Sequence, residues 1–221
     1  MKITKIIILV ICFFNLSYSQ KSDIGNWLVY FGNQKIDSKW NWHNEIQLRN
    51  YNFIGDINQL LLRTGIGYDL STNNNNILLG YALINSQKYV AYSSNKIHSN
   101  EHRIFQQFIT KQQFNRFFIQ HRYRIEERFL ENNFQLRFRY FLGINIPINK
   151  KILEKNSFYI ASYNELFINS ESAIFDRNRI YGALGFVINK NIKIEAGYMT
   201  QTLEKSNYNQ FQIVIFNNLP L

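Results

Sequence analysis

The fold is decided most clearly by the stretch Phe134-Gln-Leu-Arg-Phe-Arg-Tyr-Phe-Leu-Gly-Ile-Asn-Ile146. Every second residue in it is large and apolar, and most of the residues between are polar or glycine. A period of two is that of a β-strand, whose successive side chains point to opposite faces. A run of about twelve residues exceeds the five or six of a usual strand and suits a strand that crosses a bilayer at a tilt.

The same alternation recurs along most of the chain. It is very regular from Trp40 to Arg49, where the even positions are mostly apolar and the odd positions polar. The pattern predicts ten strands, at 40–50, 59–70, 77–86, 101–111, 117–129, 134–146, 157–168, 178–188, 192–202 and 209–217. The segment with Trp27, Val29 and Phe31 also alternates, so it is either an eleventh strand or a piece that packs elsewhere. Because single-chain bacterial barrels have even strand counts, we allow 10 to 12 strands.

Length and composition exclude several classes of protein. The 221 residues suffice for one domain, and only 18% are charged while 16% are aromatic. This composition suits strands and excludes both an all-α fold and a disordered chain. Pro147 ends a predicted strand and Pro220 follows the last one, so neither interrupts a strand.

The first nineteen residues have the features of a signal peptide. Lys2 and Lys5 precede an apolar run at 6–14, and Ser17-Tyr-Ser19 supplies the small residues of a cleavage site. We therefore predict a signal peptide at 1–19 and a single β-barrel domain at 20–221. The alternative is an uncleaved anchor, but the run 6–16 is short for a membrane span and contains Asn15. Cleavage removes Cys12, the only cysteine, so the mature chain has no thiol chemistry.

If an exported chain of this kind enters a membrane, it does so as a closed barrel, since no later stretch is long and apolar enough for a helix span. Turning Arg137 and Arg139 toward lipid would cost roughly 2 to 4 kcal/mol each near the midplane, so the charged face is predicted to line the lumen. Aromatic residues near predicted strand ends suit interface girdles; they are Trp40, Trp42, Phe53, Tyr68, Tyr81, Phe117, Phe129, Phe134 and Phe158. We predict an all-β, up-and-down antiparallel transmembrane β-barrel in a Gram-negative outer membrane. A secreted soluble sandwich or ligand-binding barrel is the alternative.

The predicted connections alternate in length, as expected for a barrel with short periplasmic turns and longer outer loops. Those at 71–76, 112–116 and 189–191 are short, and 87–100 is long and polar. The connection 148–156 is overlong for a turn and 130–133 is short for an outer loop, which counts against this assignment.

Seven stretches together resemble a bacterial family catalogued as domain of unknown function 2490. They are GNWLVYFG at 25–32, QLLLRTGIGY at 59–68, EHRIFQQ at 101–107, QHRYRIEERF at 120–129, LRFRY at 136–140, FDRNRIYG at 175–182 and FNNLPL at 216–221. The resemblance covers essentially the whole mature chain. It implies a signal peptide, an outer-membrane barrel and no established activity, and it supplies no catalytic residues. Barrels of this kind often end in an aromatic residue that assembly machinery recognises, whereas Phe216 is the last aromatic here and the chain ends in Pro220-Leu221.

One group of charged side chains is the candidate binding site of the lumen. It lies on one face of two neighbouring strands and comprises Arg122, Arg124, Glu126, Arg128, Arg137 and Arg139. It is either a basic constriction that selects small anionic solutes or a salt-bridged plug in which Glu45, Glu126, Glu165 and Glu195 neutralise the arginines. We favour the plug, because barrels of eight to ten strands are only just wide enough for their own side chains. The other predicted partners are outer-membrane lipid and the barrel-assembly machinery.

Other chemistry has weaker support in the sequence. A candidate rim cluster lies in the predicted connection before a strand and comprises Asp176, Arg177 and Arg179. It caps the strand, binds lipid phosphate, or forms part of the active site of a lipid or peptide hydrolase. No serine stands in a recognisable nucleophile context, so no catalytic residue and no cofactor is assigned, and an enzyme is disfavoured. His98 and His102 have a metal-ligand spacing only on a helix, and here they fall on a loop running into a strand. The formal charge is +10, or +8 without Lys2 and Lys5. The arginines alternate along the strands rather than forming a surface stripe, so nucleic-acid binding is rejected.

Overall fold

The computed structural model describes residues 24–72, 74–171 and 174–220, and the regular structure there is all β. The strands are β1 (Ile24–Lys35), β2 (Trp40–Asn50), β3 (Ile57–Asp69), β4 (Asn75–Tyr89), β5 (Lys96–Phe114), β6 (Phe117–Leu130), β7 (Asn133–Pro147), β8 (Phe158–Asn169), β9 (Phe175–Val187), β10 (Ile192–Leu203) and β11 (Asn207–Asn217). The predicted signal peptide at 1–19 lies outside the described residues. Within them, no helix is long and apolar enough to cross a membrane.

The strands form one closed barrel, which confirms the predicted all-β barrel of 10 to 12 strands. Each strand pairs antiparallel with the next, and β1 closes the ring by pairing parallel with β11 from Ile24↔Asn209 to Gly32↔Asn217. An odd number of strands cannot close through antiparallel pairs alone, so one pair must be parallel. The segment around Trp27 is therefore an additional strand, and the expectation of an even count is wrong. We call the end of the barrel where β1 begins the N-terminal end, and the end where β11 finishes the C-terminal end.

Most strands are longer than the sequence pattern predicted, whereas β2 has the predicted bounds and β8 the predicted length. The strand lengths run from 11 residues in β2 to 19 in β5. The predicted long polar connection at 87–100 is wrong, because β4 and β5 extend toward each other and leave only residues 90–95 between them. The longest connection, 148–157, lies at the C-terminal end, so the predicted alternation of short and long loops is not observed. The β5–β6 hairpin has a two-residue turn, with Asn115 at a positive φ of 52°.

The predicted faces of the strands are confirmed. On β2, Asn41, Glu45 and Gln47 are buried inside the barrel, while Trp40 and Ile46 are exposed on its outer surface. β3 and β7 follow the same rule, with arginines and glycines inside and aliphatic and aromatic side chains outside. The inner surface of the barrel is therefore mostly polar, and much of its outer surface is apolar.

Three apolar clusters occupy parts of the interior. The largest joins β1, β9, β10 and β11 around Trp27 and Met199, a second joins β3, β4 and β5 around Phe105, and a third lies on β8 and β9 around Tyr159. The ring of Tyr159 lies over Gly185 on the neighbouring strand β9, where any Cβ would collide with it. The rest of the described interior is lined mainly by polar and charged side chains.

Candidate functional site

The charged interior is centred on the carboxylate of Glu126, which is completely buried. Arg137 donates to its Oε2 from Nη2 at 2.5 Å and from Nε at 3.0 Å, and Arg139 donates to its Oε1 from Nη1 at 2.5 Å. Guanidinium nitrogens of three more arginines lie near the same carboxylate, that of Arg103 at 3.5 Å from Oε2, and those of Arg124 and Arg63 at 3.5 and 3.7 Å from Oε1. One carboxylate thus faces five arginines, which compensates for the cost of burying its charge.

A second carboxylate, Glu165 on β8, continues the network toward the C-terminal end. Its Oε1 accepts hydrogen bonds from Arg139 at 2.6 Å and from Arg122 at 2.7 Å, while Arg179 lies 3.8 Å from Oε2. Arg139 therefore joins Glu126 to Glu165. On the other side Arg63 joins Glu126 to Glu45, with which it forms a short ion pair. These bridges tie β2, β3, β6, β7 and β8 together across the lumen.

Toward the N-terminal end, a further acid, Glu101 on β5, pairs with two arginines. Glu101 accepts hydrogen bonds from Arg103 at 2.6 Å and from Arg128 at 2.5 Å. Arg128 also donates to Gln135 at 2.9 Å. It therefore belongs to this outer layer of the lumen and does not contact Glu126.

The predicted rim cluster is wrong in its placement. Asp176, Arg177 and Arg179 lie within β9, not in a connection, and their side chains turn into the lumen. The register shifts at Phe167 and Ile168, and this irregularity lets both Asp176 and Arg177 face inward. Asp176 accepts from Arg137 at 3.1 Å and from Arg177 at 3.0 Å. These residues extend the arginine–carboxylate network rather than forming a separate site.

The ring of Phe167, 2% exposed, lies among the arginines. The guanidinium carbons of four of them lie 4.4 to 5.8 Å from its centroid; they are Arg137, Arg139, Arg177 and Arg179. Cation–π attraction supplements the carboxylates where arginines outnumber them. This role was not predicted from the sequence, although the parity of β8 places Phe167 on the same face as Glu165.

The structure brings five of the six predicted lumen residues together around Glu126 and Glu165, and Arg128 lies apart from them. The register pairs Arg124 with Arg139 and Glu126 with Arg137, and Arg128 with Gln135. Arg63 and Arg103 are network members that the candidate set did not include. Glu195 behaves differently from the expected neutraliser of arginines, because it accepts hydrogen bonds from Tyr159 at 3.0 Å and Tyr181 at 3.3 Å.

Between the network and the C-terminal end lies a cavity of about 500 Å³. Its deep part is formed by network arginines, its walls carry several aromatic rings, and lysines line it nearer the C-terminal end. We call this space the lumenal cavity. Among the described residues, no group of three or more His, Cys, Asp or Glu side chains is placed to hold a metal ion. His98, which was placed in the predicted loop, lies on β5 together with His102, and the Nδ1 of His102 is 2.5 Å from the hydroxyl of Tyr81.

A family model described as "Protein of unknown function (DUF2490)" matches residues 24–212, which run from the start of β1 into β11. The chain belongs to this DUF2490 family. No curated protein and no solved structure shows a significant match to the chain. In this member of DUF2490, the match covers every strand that contributes to the network and all but the end of the last strand.

The chemistry of this DUF2490 lumen is that of fixed charge. Guanidinium groups stay protonated at any physiological pH, and most are held by two or more partners. Such a network can cross-link the barrel, exclude bulk flow through its centre and present positive charge to the lumenal cavity. Its arginines and carboxylates are engaged with one another and form no pair of nucleophile and base.

Proposed function

We propose that the protein spans the bacterial outer membrane as a β-barrel with a plugged, basic lumen, and that its primary role is structural rather than that of an open pore. The observation that carries the proposal is the inverted distribution of side chains. Among the described residues, buried polar or charged side chains outnumber buried apolar ones by twenty to fourteen, while forty large hydrophobic side chains are exposed. A water-soluble domain has the opposite arrangement, and a membrane barrel has this one.

The exposed apolar side chains extend around the barrel. Each strand contributes at least one; examples are Leu28, Ile46, Leu62, Leu79, Ile104, Ile125, Phe138, Ile160, Ile180, Tyr198 and Ile215 on β1 to β11 in order. A water-soluble protein rarely exposes a continuous apolar surface of this extent. Acyl chains of lipid are the environment that such a surface fits.

Polar groups on the outer face support the same proposal because they pair with one another. The indole N–H of Trp42 donates to Thr64 at 2.8 Å, and Asn164 and Asn178 exchange hydrogen bonds at 2.9 and 3.2 Å. In hydrocarbon no water can satisfy a polar group, so such groups need partners within the protein. Glu127 also faces outward, but it lies near the last residue of β6, toward the N-terminal end of the barrel, where an acidic group costs little.

Aromatic side chains mark both ends of the strands. At the C-terminal end, Trp40 and Tyr68 contact each other edge to face, and Phe158 and Phe186 form a tilted pair. Phe129 with Phe134, and Phe53 with Phe211, lie toward the N-terminal end. These bands suit the two interfaces of a bilayer. Of the predicted girdle residues, Tyr81 is misplaced, since it lies in the middle of β4 and pairs with His102.

The network supports a closed lumen. Cross-lumen ion pairs such as Arg63 with Glu126 and Arg137 with Asp176 join strands that are not neighbours in the sheet. An ion passing through the barrel would have to displace several such pairs at once. We therefore expect low conductance, in contrast with a basic constriction that passes small anionic solutes.

The proposal is tested by expressing the chain, fractionating the cell envelope and running the membrane extract on a detergent gel with and without heating. We expect the protein in the outer-membrane fraction and a heat-dependent change in migration, because folded membrane barrels resist detergent until heated. Planar bilayers then test the plug, and large stable currents would contradict it. A water-soluble protein without the migration shift would overturn the membrane proposal and favour the soluble ligand-binding barrel, and phospholipid or peptide hydrolysis would favour the barrel enzyme.

A further inference from the structure

The lumenal cavity carries an excess of positive charge that the network does not neutralise. Eight cationic and four acidic side chains line it. Lys111 and Lys193 are among the cationic ones, and within the described part of the chain neither forms an ion pair. The ammonium of Lys193 lies 4.9 Å from the centroid of the Phe216 ring. A confined space with unpaired cations concentrates anions.

Two buried guanidinium nitrogens among the described lining residues, Arg63 Nε and Arg122 Nε, have no hydrogen-bond acceptor, and a third, Arg124 Nη1, has only the ion-pair contact to Glu126 at 3.5 Å. Arg124 is 3% exposed, and its other two nitrogens, Nε and Nη2, both donate to Gln107 Oε1, at 2.9 and 2.5 Å. Buried donors nearly always have acceptors in native proteins, so unpaired ones gathered around one space indicate an acceptor that occupies it.

The walls of the cavity are largely aromatic. Phe31 stacks on Phe216 with centroids 5.4 Å apart, and Tyr163 lies against Phe141 at 5.0 Å. Trp27 lines the same space. Rings beside unpaired cations suit a ligand with an apolar body and an anionic group, and about 300 to 1,000 Å³ is the usual volume of small-molecule sites.

From this geometry we propose that the lumenal cavity is a binding site for a small organic anion, namely a carboxylate or phosphate carried on an aromatic or short aliphatic body. The anionic group lies against Arg122 and Arg124, and Lys111 and Lys193 contribute to its affinity. The apolar body packs on the aromatic walls. The inference goes beyond the structural role proposed above, since a plugged barrel needs no ligand.

The distribution of tryptophans provides a direct assay. Of the three in the chain, Trp27 lines the cavity, while Trp40 and Trp42 lie on the outer face. The variant W40F/W42F therefore carries a single reporter at the proposed site. Folded in nonionic detergent micelles, it is titrated with phenyl phosphate, and with benzyl alcohol and benzylamine as neutral and cationic probes of similar shape.

We expect a saturable change in Trp27 fluorescence with phenyl phosphate and none with benzylamine at the same concentrations. In this background, Lys111→Gln and Lys193→Gln should each weaken binding about tenfold, roughly the effect of one charge-assisted hydrogen bond. Neither lysine belongs to the network, so both variants should fold. Lys205→Gln, in the exposed connection between β10 and β11 at the opposite end, makes the same charge change and should leave binding unchanged.

Equal responses to all three probes, no response to phenyl phosphate, or equal affinities in the Lys193 and Lys205 variants would overturn the proposal. The membrane proposal is tested separately by the heat-dependent gel shift. A protein that shifts on the gel but binds no phenyl phosphate therefore overturns this inference alone.

Discussion

Replacing Glu126 by glutamine is the sharpest test of the network, because it removes one charge and keeps the shape of the side chain. Glu126 is fully buried and accepts hydrogen bonds from Arg137 and Arg139 at 2.5 Å. Three more arginines lie within 3.5 to 3.7 Å of its oxygens. Without the carboxylate, these guanidinium groups repel one another with no central counter-charge. Removing one partner of a buried ion pair costs about 3 to 5 kcal/mol, and we expect a loss of stability in that range.

The assay is urea unfolding of the folded barrel in lipid vesicles, followed by tryptophan fluorescence. Glu127→Gln is the matched control, since it makes the same substitution one residue along β6 on the outer face, where the partner is Gln106 at 3.1 Å. We expect the control to change stability by less than about 0.5 kcal/mol. The double variant Glu126→Gln/Arg137→Met should recover part of the loss, because it removes one of the repelling cations.

A result in which Glu126→Gln costs less than about 1 kcal/mol, or no more than Glu127→Gln, would refute the electrostatic account of the lumen. The arginines would then be compensated chiefly by water and aromatic rings, and the lumen would be closer to an open basic channel than to a plug.

Three further predictions follow from other parts of the barrel. Gly185→Ala should destabilise the fold by about 1 to 3 kcal/mol in vesicle unfolding, because the new Cβ collides with the Tyr159 ring. Gly182→Ala, with nothing near its Cβ, should be neutral, and equal effects of the two variants would contradict the packing. Ile180→Arg, at a position 60% exposed in mid-strand, should lower stability in vesicles by about 2 to 4 kcal/mol, whereas a neutral effect is what a water-exposed surface predicts. Burial alone would raise the pKa of Asp56, but hydrogen bonds from a lysine and a tyrosine lower it below its ordinary value. Its stabilisation is therefore present above about pH 4 and lost as the pH falls through the lowered pKa. The protection factors of amides in the 51–56 turn, corrected for the intrinsic pH dependence of exchange, should fall in acid, and Asp56→Asn should remove that dependence.

Much of the fold could be predicted from the sequence because a period of two is a local property. The alternation in β2, β3 and β7 specifies which side chains share a face, and a one-residue slip would reverse every one of them. The arginines and Glu126 could accordingly be placed on one side of neighbouring strands. The segment around Trp27 could be identified as strand-like, but its partner could not, since pairing with β11 depends on how the ring closes.

What could not be predicted depends on irregular or long-range features. The inward turn of Asp176 rests on the register shift at Phe167, and no local pattern signals such an irregularity. The 87–100 segment was expected to be a loop because it is polar, yet interstrand hydrogen bonds such as Asn85 to Asn100 let strands continue through polar residues. The lumenal cavity could not be predicted either, because it is formed by side chains of strands that are far apart in the sequence.

The most direct test of the central claim asks which face of the wall contacts lipid. The W27F variant keeps only Trp40 and Trp42 on the outer face, and W40F/W42F keeps only Trp27 inside. Both are folded into vesicles whose phospholipids carry bromine high on the acyl chains, where it quenches tryptophans in contact with lipid. The account predicts strong quenching of W27F and little quenching of W40F/W42F. If W27F were quenched no more than W40F/W42F, the outer face would not meet lipid, and the membrane barrel would be contradicted.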